Sequence, residues 1–171
     1  NSDDGLMPNA LASLAAAYDK TVDVYRGKVL LWKEDTDAKV EEVPSMTFKL
    51  NGRYNVSHQS TFVTKKAYET YGAYDESMHY VMDCDLLHRY ENEGAKFKYV
   101  DTVLAFYTFG GRTFGKYTSA RRNEAIRMLK KNGATALDVA EYILIKYIKL
   151  IVTKFIGKEL QMKLKHEIFK K

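Results

Sequence analysis

At 171 residues, with 46% hydrophobic and 29% charged residues, the chain is long enough for one well-buried core and too apolar to be a disordered polymer. A single cysteine, Cys84, excludes an intramolecular disulfide and a thiolate zinc cluster, and points to a reducing compartment. The formal net charge of +5 is unevenly divided: residues 1–111 hold 12 basic and 17 acidic side chains, whereas residues 112–171 hold 15 and 5, setting an acidic body against a basic tail suited to an anionic surface.

In chain order, Asn1-Ser2-Asp3-Asp4 has neither the basic nor the apolar region of a signal peptide. It also lacks an initiator methionine, so the sequence reads as starting inside a longer polypeptide. These residues are expected to form a loop feeding a helix over 10–18, with Pro8 near its first turn. Strands are predicted over 23–25 and 28–32, then a polar turn at 34–37, a short β-like run at 40–43 and a loop over 44–57. Residues 60–63 are β-prone, and Thr64 caps a helix over 65–71 that stops at Gly72.

After a turn at 73–77 comes the stretch His79-Tyr80-Val81-Met82-Asp83-Cys84-Asp85-Leu86-Leu87-His88-Arg89, a helix that opens on acid and closes at Glu93-Gly94. Residues 96–109 read as a strand, a brief turn at Asp101-Thr102 and a second strand, ended by Gly110-Gly111. A basic helix over 119–132 closes at Gly133, and Thr135-Ala136-Leu137-Asp138 is a capping box for a helix reaching about residue 156. That last helix is apolar over most of its circumference, with a polar stripe at Lys146, Lys149, Thr153 and Lys154. A lysine near the bilayer centre costs about 2.5–3.5 kcal/mol on insertion scales, so the helix is not expected to span a membrane.

Several groups carry candidate chemistry. Asp83 and Asp85 diverge by about 200° on a helix, so one can cap while the other points into a cleft; both also suit a helix N-terminus without further role. Asp3 and Asp4 offer hard oxygen ligands for Mg²⁺ or Mn²⁺, or form an acidic turn. His58 is a base, a ligand, a phosphate contact or a satisfied loop histidine. His88 is expected at the surface. Gly110-Gly111-Arg112-Thr113 is either a tight turn or a basic loop able to close on a diphosphate. Residues 141–171 suit an anionic membrane interface or docking onto the domain itself; nucleic acid is not expected, because no fold motif for it accompanies the charge.

Taken in order, these motifs resemble the second half of a family 2 glycosyltransferase of the GT-A fold. Asn1-Ser2-Asp3-Asp4 resembles that family's DxD-type loop, and Tyr25-Arg26-Gly27-Lys28-Val29 its strand pair. His58-Gln59-Ser60-Thr61-Phe62 is similar to its acceptor-side strand. Gly72-Ala73-Tyr74-Asp75-Glu76-Ser77 and Asp83-Cys84-Asp85-Leu86-Leu87-His88-Arg89 resemble its following turn and acidic helix. Gly94-Ala95-Lys96-Phe97 and Gly110-Gly111 complete the order. Gly5, Gln59, Ala73 and Met82 depart from the family pattern.

The resemblance implies an α/β chain: a partial GT-A, Rossmann-like domain with a mixed sheet over 1–115, followed by a basic helical tail over 116–171. It implies an inverting transfer from a nucleotide-sugar donor to a saccharide or lipid-linked saccharide acceptor, in cell-surface polysaccharide synthesis, with Mg²⁺ or Mn²⁺ as cofactor. Asp83 would be the general base, Asp4 the metal ligand, and Asp3 and Arg112 donor contacts. His58, Asp85 and Arg89 would position the acceptor side, with Arg89 pairing to Asp85 across one helical turn. The expected place is the cytoplasm, peripheral on the inner face of the cell membrane. The donor's nucleotide strands would precede Asn1, so these residues alone are expected to be inactive. The alternative is a non-enzymatic α/β module whose basic helical tail binds a membrane or partner.

Overall fold

Residues Val24–Trp32 alternate in the manner of a strand with two covered faces, and that strand, β2, lies inside a four-stranded sheet. The computed structural model describes residues 4–32, 57–108 and 118–155. Asp3, Arg112, the glycine loop at 110–113, the runs at 34–37, 40–43 and 44–56, and the tail beyond 155 lie outside the described residues. The remaining strands are β1 (Asp4–Leu6), β3 (Thr61–Val63) and β4 (Phe97–Thr108). The helices are α1 (Ala10–Ala17), α2 (Lys65–Tyr71), α3 (Met82–Asn92), α4 (Ser119–Lys131) and α5 (Ala136–Phe155), so the described chain is mixed α/β.

The sheet order is β1-β4-β2-β3, with β2 and β4 parallel and both outer pairs antiparallel. Successive residues of β2 serve opposite faces. Val24 joins Ala67, Leu86, Leu87 and Tyr90 beneath α2 and α3, while Tyr25 joins Ala10, Val100 and Leu104 beneath α1. A third cluster, Met78, Val81, Ala125, Met128, Leu129 and Tyr142, ties α4 and α5 to the start of α3. The basic helix α4 therefore shares a core with the acidic segment before it.

The two predicted strands at 23–25 and 28–32 are one, and the predicted turn at Asp101-Thr102 is a bulge within β4. Gly27 pairs with Val100 and the next residue, Lys28, with Val103, so β4 accommodates two extra residues. Gly27 makes this possible: a Cβ there would press into the Leu104 side chain and lie 2.9 Å from the Thr102 carbonyl oxygen. Lys28 Nζ meets Asp101 at 2.7 Å across the bulge. Hydropathy alternation alone reads such a break as a turn, because the bulged residues fall out of the two-residue period.

Helix ends follow the expected chemistry. Thr64 accepts from Ala67 N, and Gly72 ends α2 at φ 83°. The Thr135/Asp138 capping box forms, with Asp138 accepting from Thr135 N at 2.7 Å and Thr135 Oγ1 accepting from Asp138 N at 3.2 Å. The start of α3 is different, because its N-cap, Val81, has no side-chain acceptor. Glu124 of α4 supplies one: its Oε1 accepts the N–H groups of His79, Tyr80 and Val81 at 2.9, 2.5 and 2.9 Å. Three convergent backbone donors hold that carboxyl below its ordinary range, outweighing the upward push of its partial burial.

Candidate functional site

The turn before β3 is the hub of the site. Ser60 is buried and donates its hydroxyl to the Gly27 carbonyl at 2.9 Å, and Thr61 Oγ1 donates to the Ser57 carbonyl at 2.9 Å. These bonds fasten a single 3₁₀ turn, His58–Ser60, against β2. Two consecutive side chains then reach two carboxylates from distant parts of the chain. Gln59 Nε2 donates to Asp4 Oδ2 at 3.3 Å, and His58 Nδ1 lies 3.1 Å from Asp83 Oδ2.

Asp4 is the first residue of β1, paired with Tyr107 of β4, and not the loop residue expected from the polar opening. Three residues suffice for a strand here because the end of β4, paired on one edge with Val29, Leu30 and Leu31 of β2, offers its other edge as a template. Asp83 stands in the first turn of α3, where the helix dipole favours a negative charge. Burial pushes its carboxyl up, but the His58 hydrogen bond and charge, with the Cys84 N–H on Oδ1 at 2.8 Å, outweigh burial and hold it below the usual range. Reciprocally, the Asp83 hydrogen bond raises His58, burial opposes it, and the charges of Asp83 and then Asp4 add to the rise. Asp4 and Asp83 thus act on one imidazole.

Tyr74 borders the same region. Its half-exposed ring sits 6.2 Å from that of Tyr68, and its hydroxyl is raised by burial, by Tyr68 and by the charge of Asp83. The turn carrying it is fixed by α3: Arg89 donates to the carbonyls of Tyr71 and, at 2.6 Å, Ala73, and Tyr90 donates to that of Gly72 at 2.7 Å. Arg89 therefore turns away from Asp85, and the expected pairing within α3 is not made.

Asp85 also departs from its expected place. It is 0% exposed and faces α4, where Lys131 Nζ lies 3.0 Å from Oδ2 and Asn132 Nδ2 donates to Oδ1 at 2.9 Å. It neither caps α3 nor faces a cleft, because the roughly 200° between it and Asp83 directs one to the sheet edge and the other into the α3–α4 interface. His88, expected at the surface, is 1% exposed; burial lowers its pKa to about 4 against the opposing charge of Asp85. It is neutral at pH 7.

Sequence reading noted Gln59 only as a departure from a family proline, and missed its bond to Asp4. The signal was adjacency: a residue next to His58 on a one-turn segment cannot avoid the same site. Glu124, Lys131 and Asn132 carried no such signal, since each acts across a tertiary interface.

Among the described residues no three His, Cys, Asp or Glu groups converge as a metal cage. Asp4 offers a single carboxylate, a hard oxygen donor of the kind divalent cations take. In comparison with known proteins, no family model and no curated protein matches the chain. No helix among the described residues is long and apolar enough to cross a membrane.

Proposed function

We propose that this chain forms the acceptor-side portion of an inverting, metal-dependent glycosyltransferase of the GT-A type, related to family 2 and acting in cell-surface polysaccharide synthesis at the cytoplasmic membrane face. One observation carries the reading. Consecutive residues His58 and Gln59 bring together Asp4 and Asp83, the two carboxylates to which the sequence motifs assign metal binding and proton abstraction.

In the proposed reaction Asp83 takes the proton from an acceptor hydroxyl as its oxygen bonds to the anomeric carbon. The bond from that carbon to the donor diphosphate breaks on the opposite face, and the nucleoside diphosphate leaves with the electron pair. A single displacement inverts the configuration. A carboxylate held below its ordinary range stays in the basic form throughout the neutral range, and accepts the proton once bonding to carbon has made the attacking oxygen acidic. His58 is the positioning residue: it keeps Asp83 ionised and fixes its Oδ2. Tyr74, beside Asp83, presents a ring on which the acceptor sugar can lie. Arg89 and Tyr90 hold the turn that carries Tyr74.

A divalent cation at Asp4 would, when bound, supply positive charge to the diphosphate. Asp3 and Arg112 would hold the donor. The test is binding of a panel of nucleotide sugars to the gene's full product, in Mn²⁺ and in EDTA, for wild type and Asp4→Ala. The reading expects Mn²⁺-dependent binding that Asp4→Ala abolishes. Binding indifferent to both metal and Asp4→Ala would overturn it.

A further inference from the structure

Segment 73–85 carries both groups that the transferase reading places at the acceptor, Tyr74 and Asp83, and α4 grips that segment along its length. Glu124, Arg127 and Lys131 follow one another at helical spacing and share one edge of α4. Each meets a different part of the segment. Lys131 Nζ lies 2.8 Å from Asp75 Oδ2 and 3.0 Å from Asp85 Oδ2, while Asp75 Oδ1 braces the turn by accepting from Ser77 N at 3.0 Å. Arg127 Nη2 donates to the Ser77 carbonyl at 2.7 Å. Glu124 Oε1 accepts from the N–H groups of His79, Tyr80 and Val81. In the same interface Met78 and Val81 are buried with Ala125, Met128 and Leu129.

The links are matched in charge. The two cations of α4 take carboxylates and a carbonyl, and its anion takes three N–H donors at a helix start whose own N-cap, Val81, has no side-chain acceptor. Asp83 lies just past the last of these donors, so α4 fixes the backbone that bears it. Its carboxyl is held from another element, by His58 Nδ1 at 3.1 Å. That imidazole faces two carboxylates, Asp83 of α3 and Asp4 of β1. A displacement of about 1 Å at Asp83 would carry the His58 contact out of hydrogen-bonding range. For a reacting group, a misplacement of that size costs on the order of 10²-fold in rate.

We propose that Glu124 is a positioning residue of the acceptor site, acting through the backbone of 79–81 to set Asp83 against His58, with Arg127 and Lys131 holding the turn that follows Tyr74. The catalytic consequence rests on the transferase reading; the placement of Asp83 against His58 does not. A cap that served α3 alone would affect stability. A positioning residue also moves the His58–Asp83 pair.

The test compares the full chain as wild type, Glu124→Ala, Glu124→Gln and Thr135→Ala, the last removing the α5 cap hydroxyl without touching 79–83. Glu124→Asp, which keeps the charge but draws it back by one methylene, is the milder variant should alanine prevent folding. Circular dichroism and the urea midpoint establish that each is folded. The first readout is the His58 imidazole titration followed by NMR in EDTA. Wild type is expected to titrate above the ordinary value of about 6.5, and Glu124→Ala and Glu124→Asp to fall back toward it. Glu124→Gln, which keeps an acceptor oxygen, and Thr135→Ala are expected to stay with wild type. The second readout sets sugar transfer against Mn²⁺-dependent donor binding: Glu124→Ala is expected to lose about tenfold or more in kcat with donor affinity held within about twofold, and Glu124→Gln to recover most of the loss. An unmoved His58 titration in a folded Glu124→Ala or Glu124→Asp, an equal movement in Thr135→Ala, or an unchanged kcat would each overturn the proposal. Wild type that neither binds donor nor transfers sugar would sink the transferase reading instead, and the His58 titration would still decide whether Glu124 places Asp83.

Discussion

His58 Nδ1 lies 3.1 Å from Asp83 Oδ2, so the carboxylate nominated as base is already held by an imidazole before any substrate arrives. The pairing has a signature in pH. His58 is raised above its ordinary value of about 6.5, so its contribution is complete below that pH and is lost as pH rises through the raised value. Asp83 is lowered, so its contribution is complete above about pH 4 and is lost as pH falls through the lowered value. The pair therefore stabilises most between about pH 4 and 6.5. Urea midpoints of wild type and His58→Gln, measured across pH, should differ most in that window and converge on either side; a constant difference would remove the ion pair.

Asp85 should behave as a structural residue. Removing the buried carboxylate takes one partner from Lys131, which keeps Asp75, and one from Asn132, which keeps the Met128 carbonyl, so Asp85→Ala is expected to cost about 1.5–3 kcal/mol by chemical denaturation, the range for hydrogen bonds to a charged group. Donor binding by the folded fraction should be unchanged. Selective loss of donor or acceptor binding with normal stability would return Asp85 to the site.

Glu124 is the external cap for the segment that leads into Asp83. Glu124→Ala removes one acceptor from three N–H groups and is expected to cost about 1–2 kcal/mol, less than a buried charged bond because the carboxylate is largely solvated. Glu124→Gln keeps an acceptor oxygen and should lose less. Backbone amide exchange at His79, Tyr80 and Val81 should accelerate in the alanine variant, and unchanged exchange would contradict the capping role.

Gly27→Ala tests the bulge. The added methyl would meet Leu104 and the Thr102 carbonyl, and the loss expected is about 1–3 kcal/mol, the range for overpacked cores. Replacing Leu104 as well, with alanine, should recover part of that loss relative to the sum of the single changes. Simple additivity would show that the two do not compete for space.

How much of this was legible depended on range. Thr64, Gly72, Thr135 and Asp138 act within one turn of their own helix, and the sequence placed each correctly. The Gly27 bulge involves a partner strand, so β4 read as two strands with a turn between them. Asp85 and Arg89 satisfied a good local rule for i, i+4 pairing, yet tertiary partners won: two α4 side chains took Asp85, and the carbonyls at the end of α2 took Arg89. His88 looked polar and exposed, but its helical position faces the core. For the site itself, the motif order nominated Asp4, His58 and Asp83, while the Gln59 link required the fold.

The central claim is that Asp4 and Asp83 serve two roles in one reaction centre, and the most direct measurement is donor binding and sugar transfer by Asp83→Asn on the gene's full product. The substitution preserves shape and removes the base. The account predicts Mn²⁺-dependent donor binding within about twofold of wild type, with transfer to a saccharide acceptor reduced by about 10²-fold or more, the lower range for general-base catalysis. Transfer undiminished in Asp83→Asn would contradict it.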